Sequence, residues 1–156
     1  RKGNPYFEHI KEVVALVKIS STKKNDSIII ASYLHDVVED RKATRKEVKD
    51  LFGHDVFKLV EEMTDKPFCS EAERWSNQIM AAKILSVDAS LIKLADKISN
   101  LENLFYDPPI SWSKKKKVDY IKWGQEVVDN LPHKDIELMK RFDKICFQLN
   151  KKLSSN

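Results

Sequence analysis

His35, Asp36, Glu39 and Asp40 lie close together in the stretch SIIIASYLHDVVED, which runs from Ser27 to Asp40. Imidazole and carboxylate side chains are the usual ligands of divalent transition metals, and a carboxylate can also take a proton from water. Helical spacing across this stretch, taken as one helix over Ile28–Asp40, sets His35 beside Glu39 and Asp36 beside Asp40 on successive turns. Ile30, Ala31, Leu34, Val37 and Val38 form the apolar stripe of the same helix. No lysine or arginine dilutes the acidic flank between Ser27 and Asp40. Carboxylates at a helix C-terminus oppose the macrodipole, and a bound cation relieves that conflict. An isolated His-Asp pair is also what a buried, hydrogen-bonded histidine looks like. Likewise, Glu39 and Asp40 taken alone read as a solvated acidic patch.

A metal site needs further ligands from other helices. His9 and Asp96 stand at suitable places on two other apolar-periodic segments, and a two-His, two-Asp set suits an ion of the Mn, Fe or Zn type better than calcium. Lys93, Asp96, Asn100 and Asn103 recur at helical spacing as a polar row on an otherwise core-facing helix. Beside a metal, such a row contacts phosphate, ribose or base; elsewhere it is a wet helix face. Arg1, Lys2 and the run Lys114–Lys117 are basic and read as solvated surface unless phosphate lies nearby. His54 and His133 fall at expected helix starts, where surface or capping roles are the ordinary ones. Trp75, Trp112, Tyr120 and Trp123 read as packing residues, with Trp112 and Tyr120 also able to line a pocket.

The elements that must carry these residues are helical throughout. Only 3 Gly and 5 Pro punctuate 156 residues, too few for a strand-rich fold. A first helix is expected from about Pro5, with Ile10, Val13, Val14 and Val17 on its apolar face. Ser20–Asn25 reads as a loop, with Asp26 or Ser27 as the next cap. After a break at Arg41–Ala43, Thr44 and Glu47 form a capping box for a short helix to about Phe52, ended by Gly53. Another follows from Asp55 with Val56, Leu59, Val60 and Met63, and stops at Asp65-Lys66-Pro67. Ser70 and Glu73 open a helix towards Ile84. Leu91, Leu94, Ala95, Ile98 and Leu101 define the next, after Ser86–Asp88. A loop over Tyr106–Trp112 precedes a helix through Tyr120, Ile121, Val127 and Val128. The last helix is expected over His133–Leu149.

The bulk properties narrow the function classes. The length allows one domain with a real core, read as residues 1–153 with a disordered tail at 154–156. The net charge of +4, from 28 basic and 24 acidic residues, is mild and dispersed. It suits a small anionic partner and gives no stripe for nucleic acid. No apolar run reaches bilayer length, so no membrane partner is expected. Two distant cysteines, Cys69 and Cys146, build no disulfide framework and point to a reducing cytoplasm. Oligomeric state is left open.

Taken together the motifs resemble those of HD-domain phosphohydrolases, and in particular the RelA/SpoT-type (p)ppGpp hydrolases in their small stand-alone forms, including those of metazoans. RKGNPYFEH resembles the first family motif, YLHDVVED the second and KLADKISNL the third. DLFGHDVFKLVEEMTD and WGQEVVDNL, with Trp112 and Tyr120, extend the similarity from Arg1 to about Leu131. The sequence departs from the family pattern at Arg41 and Asn103, where threonine is frequent. The resemblance implies an all-α HD-domain helical bundle. It implies that His9, His35, Asp36 and Asp96 hold one divalent ion, Mn²⁺ in this family, and that Glu39 and Asp40 handle the attacking water. It implies a (p)ppGpp-like nucleotide as substrate, cleaved at its 3′-diphosphate to release pyrophosphate. Arg1, Lys2, Lys93, Asn100, Asn103 and Tyr120 are then nucleotide contacts. Another phosphorylated nucleotide such as NADPH, or a nucleotide sensor without turnover, are the alternatives.

Overall fold

The structure is a computed structural model that describes residues 5–67 and 70–154, and it contains seven helices and no strand among them. Helix α1 spans Pro5–Ile19, with Pro5 in the first turn, where its missing N–H costs nothing. It buries Ile10, Val13, Val14, Leu16 and Val17. Helix α2 spans Asp26–Leu34 and is capped by Asn25, whose side chain accepts from the Ile28 N–H at 3.0 Å. The cap thus lies one residue before the positions expected from sequence.

Helix α2 is also shorter than the spacing predicts, ending at Leu34 instead of Asp40. From His35 the chain winds through successive turns. Arg41 N–H bonds Val38 O at 3.1 Å and Lys42 N–H bonds Val37 O at 2.9 Å, with Arg41 at φ 57°. This is a Schellman closure, and it satisfies carbonyls that would otherwise lie open. The acidic run therefore sits beyond the regular helix, where its charge meets less of the opposing dipole.

Helix α3, Arg45–Met63, opens with the complete Thr44–Glu47 capping box and is broken at Gly53, where φ is 83°. Nothing lies near a Cβ built at Gly53, so the left-handed backbone, and not space, selects glycine. Helix α4, Glu71–Ala82, begins at the Ser70 cap and stops short of Ile84, which is left exposed. Helix α5, Val87–Tyr106, starts at the Ser86 cap. Helix α6, Lys114–Asp129, takes the lysine run as its first turn; Lys115 pairs with Asp119 and Lys116 with Glu71. Helix α7 spans Ile136–Ser154, starting later and ending later than the expected His133–Leu149. Asp135 sets its start by accepting from the Glu137 and Leu138 N–H groups. Ser154, read from sequence as part of the tail, closes this helix, while residues 155–156 lie outside the described residues.

Helix α5 is the axle of the bundle, touching α1, α2, α3, α6 and α7. Its Leu91, Ile92, Leu94, Ala95 and Ile98 are fully buried, each large side chain stabilising the fold by about 1.5–3 kcal/mol. No helix among the described residues is long and apolar enough to cross a membrane.

Candidate active site

Three parts of the bundle meet at one cluster. Helix α1 brings His9, the turn after α2 brings His35 and Asp36, and α5 brings Asp96. His9 Nε2 stands 3.3 Å from His35 Nε2 and 3.3 Å from Asp96 Oδ1. His35 Nε2 lies 3.2 Å from Asp36 Oδ2 and 4.0 Å from Asp96 Oδ1. His9, His35 and Asp96 form the tightest group, with ligand atoms within 4.8 Å of one another. Asp36 Oδ2 lies at its open side, 3.8 Å from His9 Nε2. All four residues expected to hold a metal are thus brought together.

Hydrogen bonds behind the rings set which nitrogen faces inward. His35 Nδ1 lies 2.8 Å from Ser32 O, a carbonyl that can only accept, so Nδ1 carries the proton. Ser99 Oγ donates to Glu12 Oε2 at 2.7 Å. Its hydroxyl hydrogen is therefore engaged, and His9 Nδ1, at 2.9 Å, donates to Ser99. In the neutral form of either imidazole, Nε2 then points a lone pair into the cluster. Two such nitrogens facing two carboxylate oxygens repel one another unless a proton or cation sits among them. Two nitrogens and two oxygens fit a divalent ion of the transition series, so the donor chemistry accepts the metal that sequence expects.

The electrostatics agree. Burial opposes a charge on His35, but Asp36 and Asp96 outweigh it and raise its pKa above the ordinary value. Burial also opposes a charge on Asp36, yet His35 holds it below the usual carboxylate value. Asp96 is buried, and Lys97 with His9 and His35 still holds it well below that value. Lys97 Nζ lies 3.1 Å from Asp96 Oδ2. Asn100 donates to Asp96 Oδ1 at 2.8 Å.

The two remaining acids differ from each other. Glu39 is partly buried, and Arg74 Nη2 donates to its Oε1 at 3.0 Å. Burial and the Asp65 charge push its pKa up, and Arg74 opposes them. Asp40 is exposed and lies 4.0 Å from Lys42 Nζ. It also bonds Tyr6, whose phenol is pushed up to about 12 by burial and by Asp40 and Asp36. Lys42 Nζ stands 3.1 Å from the Tyr6 ring centroid.

The expected nucleotide contacts scatter. Asn100 faces Asp96, and Asn103 donates to Glu12 and Ser99 behind His9. Asn100 thus braces a metal-holding residue directly and Asn103 braces the residues behind His9, and both are half-buried. Lys93 is buried, with Nζ 3.5 Å from Met63 O, and lines a cavity of about 360 Å³ with Glu62, Asp65, Gln78 and Leu85. Tyr120 packs among Trp75, Trp112 and Trp123, at ring-centroid distances of 6.1, 5.0 and 5.0 Å. Trp75 stacks on Trp123 at 5.3 Å, and Lys97 Nζ sits 4.2 Å from the Trp123 ring centroid. Arg1 and Lys2 lie outside the described residues. Glu12, Ser99, Arg74 and Lys97 were not singled out from sequence. Glu12 follows His9 by one helical turn and Ser99 follows Asp96 likewise, which is the signal that sequence holds for them.

An HD-domain family model, described as "HD domain", matches residues 1–119. A guanosine-3′,5′-bis(diphosphate) 3′-pyrophosphohydrolase, MESH1 of Drosophila melanogaster, is 38% identical over 92% of this chain and 80% of its own length. The Homo sapiens MESH1 is 36% identical over 83% of this chain and 73% of its own. A solved structure described as a metazoan ortholog of SpoT that hydrolyzes ppGpp superposes with a TM-score of 0.86 at 37% identity. It covers 93% of this chain and 82% of that one. A Listeria monocytogenes structure at 19% identity and TM-score 0.73, covering 95% of this chain and 99% of that one, shares the fold.

Proposed function

This chain belongs to the HD-domain family, and from that premise we propose that it is a metal-dependent nucleotide phosphohydrolase acting on guanosine-3′,5′-bis(diphosphate). The observation that carries the reading is the convergence of two inward Nε2 lone pairs and two carboxylates, with Glu39 close enough to feel the Asp36 charge and Asp40 sharing Tyr6 with Asp36. In this reading His9, His35, Asp36 and Asp96 hold the divalent ion; the donor set suits Mn, Fe or Zn, and the family resemblance favours Mn²⁺ among them. The chemistry such an ion supplies when bound is Lewis acidity towards phosphate and water.

The chain's own residues supply the rest. Glu39, with its raised pKa, accepts a proton from the attacking water. Arg74 holds Oε1 of Glu39, and Oε2, which accepts from the Asp65 N–H at 3.4 Å, keeps a second lone pair for the water. Asp40, held by Tyr6, orients the same water from the open side. The water oxygen forms a bond to the phosphorus attached at O3′. The O3′–P bond breaks, the 3′ oxygen takes up a proton, and pyrophosphate leaves GDP behind. Lys93, Asn100, Asn103 and Tyr120 are the described candidates for nucleotide contact, joined by Arg1 and Lys2 from the sequence. The shared core of the seven helices supports reading residues 1–153 as one domain, and the sparse cysteines support a cytoplasmic setting.

The test is pyrophosphate release in Mn²⁺ from a panel of ppGpp, pppGpp, NADPH and deoxynucleoside triphosphates, with Asp36→Ala as control. Release from ppGpp that vanishes in Asp36→Ala is expected. Equal release by both proteins would refute a metal-dependent reaction at this cluster. Turnover of NADPH alone, yielding phosphate, would move the substrate to a 2′-phosphate. Tight nucleotide binding without turnover would make the protein a sensor.

A further inference from the structure

Asp65 stands just past the end of α3, and the hydrolytic reading gives it no role beyond its charge beside Glu39. Its Oδ2 accepts from Arg74 Nε at 3.0 Å and also from Gln78 Nε2. Its own backbone N–H points at Glu39 Oε2 at 3.4 Å. Arg74 reaches past it to Glu39 Oε1, so one guanidinium clasps both carboxylates. On the other side, Gln78 Oε1 accepts from Lys97 Nζ at 3.0 Å, and Lys97 meets Asp96. Gln78 is 5% and Lys97 3% exposed, so water competes little for these bonds. The series Glu39–Arg74–Asp65–Gln78–Lys97–Asp96 runs unbroken across α4.

We propose that Asp65 is a positioning residue, the junction through which α4 fixes the carboxylate of Glu39 relative to the metal-holding carboxylate of Asp96. The proposal rests on the hydrolytic reading above. Without Asp65, the Arg74 Nε loses the carboxylate it donates to, and the end of the guanidinium that holds Glu39 is less firmly placed, so Glu39 gains rotamers that no longer face the water. The Gln78 amide has a single orientation that serves both neighbours, nitrogen towards Asp65 and oxygen towards Lys97. Losing Asp65 removes the reason for that orientation, and the link to Asp96 loosens with it. A shift of this kind acts on turnover and leaves nucleotide affinity alone.

The experiment compares Asp65→Ala, Asp65→Asn and Gln78→Leu in the whole chain with Mn²⁺. For Asp65→Ala, kcat falls about 10–100-fold, the range seen when residues behind a metal site are removed, with KM and Mn²⁺ affinity changed by no more than about threefold. Asp65→Asn recovers most of kcat, because its Oδ1 can accept from both Arg74 and Gln78. Amides of residues 37–43 exchange with deuterium about tenfold faster in Asp65→Ala, while those of α7 do not change. If Asp65→Ala does not fold, Gln78→Leu carries the test, with kcat lowered at least about fivefold and KM unchanged. Unchanged kcat in the folded variants, or a KM that rises in step with any loss, overturns the proposal. A wild-type chain that hydrolyses no 3′-diphosphate would instead overturn the substrate reading, and the exchange rates over residues 37–43 would then decide for or against Asp65.

Discussion

Glu39 and Asp36 lie one turn apart in sequence and carry different duties, and substitution separates them. Glu39→Gln keeps the hydrogen bond from Arg74 and removes the proton acceptor. Turnover is expected to fall about 10²–10⁴-fold while Mn²⁺ binding, followed by titration calorimetry, stays as in the wild type. Asp36→Ala removes ion and activity together. The pH dependence follows from the same residue. Glu39 must be ionised to act, and burial with the Asp65 charge raises its pKa above the ordinary 4.5, against Arg74. Activity is therefore full above that raised value and lost as pH falls through it. Asp65→Asn withdraws a neighbouring negative charge, lowers the Glu39 pKa and moves the acid limb of kcat to lower pH. The two His and two Asp were legible from motif order, since each sits in a short string with its own neighbours. The roles of Asn100 and Asn103 were not. A polar row at helical spacing does not show in sequence that Asn100 also braces Asp96, or that Asn103 braces Glu12 and Ser99.

At the scale of elements, apolar periodicity located every helix that the structure contains, because a stripe such as Leu91, Leu94, Ala95 and Ile98 has one burial solution. The ends were less legible. Helix α2 stops at Leu34 although Val37 and Val38 continue its stripe, because the turns over 35–42 close with Arg41 in a left-handed conformation that no glycine or asparagine announces. Helix α7 begins after Asp135 for a reason that is tertiary. Asp135 caps the helix through Oδ1 while Oδ2 accepts from Ser21, from Thr22 Oγ1 and from the Thr22 N–H, across the loop after α1. Its burial works against its charge, but these bonds win and bring its pKa from 3.8 down to about 2. The folded value is the lower one. Its contribution is therefore present above pH 3.8 and is lost as pH falls towards about 2. Asp135→Asn is expected to cost about 2 kcal/mol in urea unfolding at neutral pH, with the gap closing in that acid window.

On the scale of the whole molecule, ligands from α1, from the turn after α2 and from α5 make the cluster a clasp between distant parts of the chain. A divalent ion binds only the folded form and stabilises it in proportion to its occupancy. At an ion concentration of a hundred times Kd, the gain is about 2.7 kcal/mol, or about 5–10 °C in Tm for a domain of this size. Chelation reverses the shift, and Asp96→Ala shows none. The tryptophan corner beside the cluster adds an optical consequence. The chain has 3 Trp, and Trp75, Trp112 and Trp123 all surround Tyr120. Tryptophan emission, selected by exciting beyond the tyrosine band, therefore originates from one corner of the bundle. The Lys97 ammonium lies between the Trp123 indole and Asp96. A cation drawing on Asp96 alters the field on that indole, so the wild-type protein carries its own spectroscopic gauge of site occupancy, readable without label or substrate.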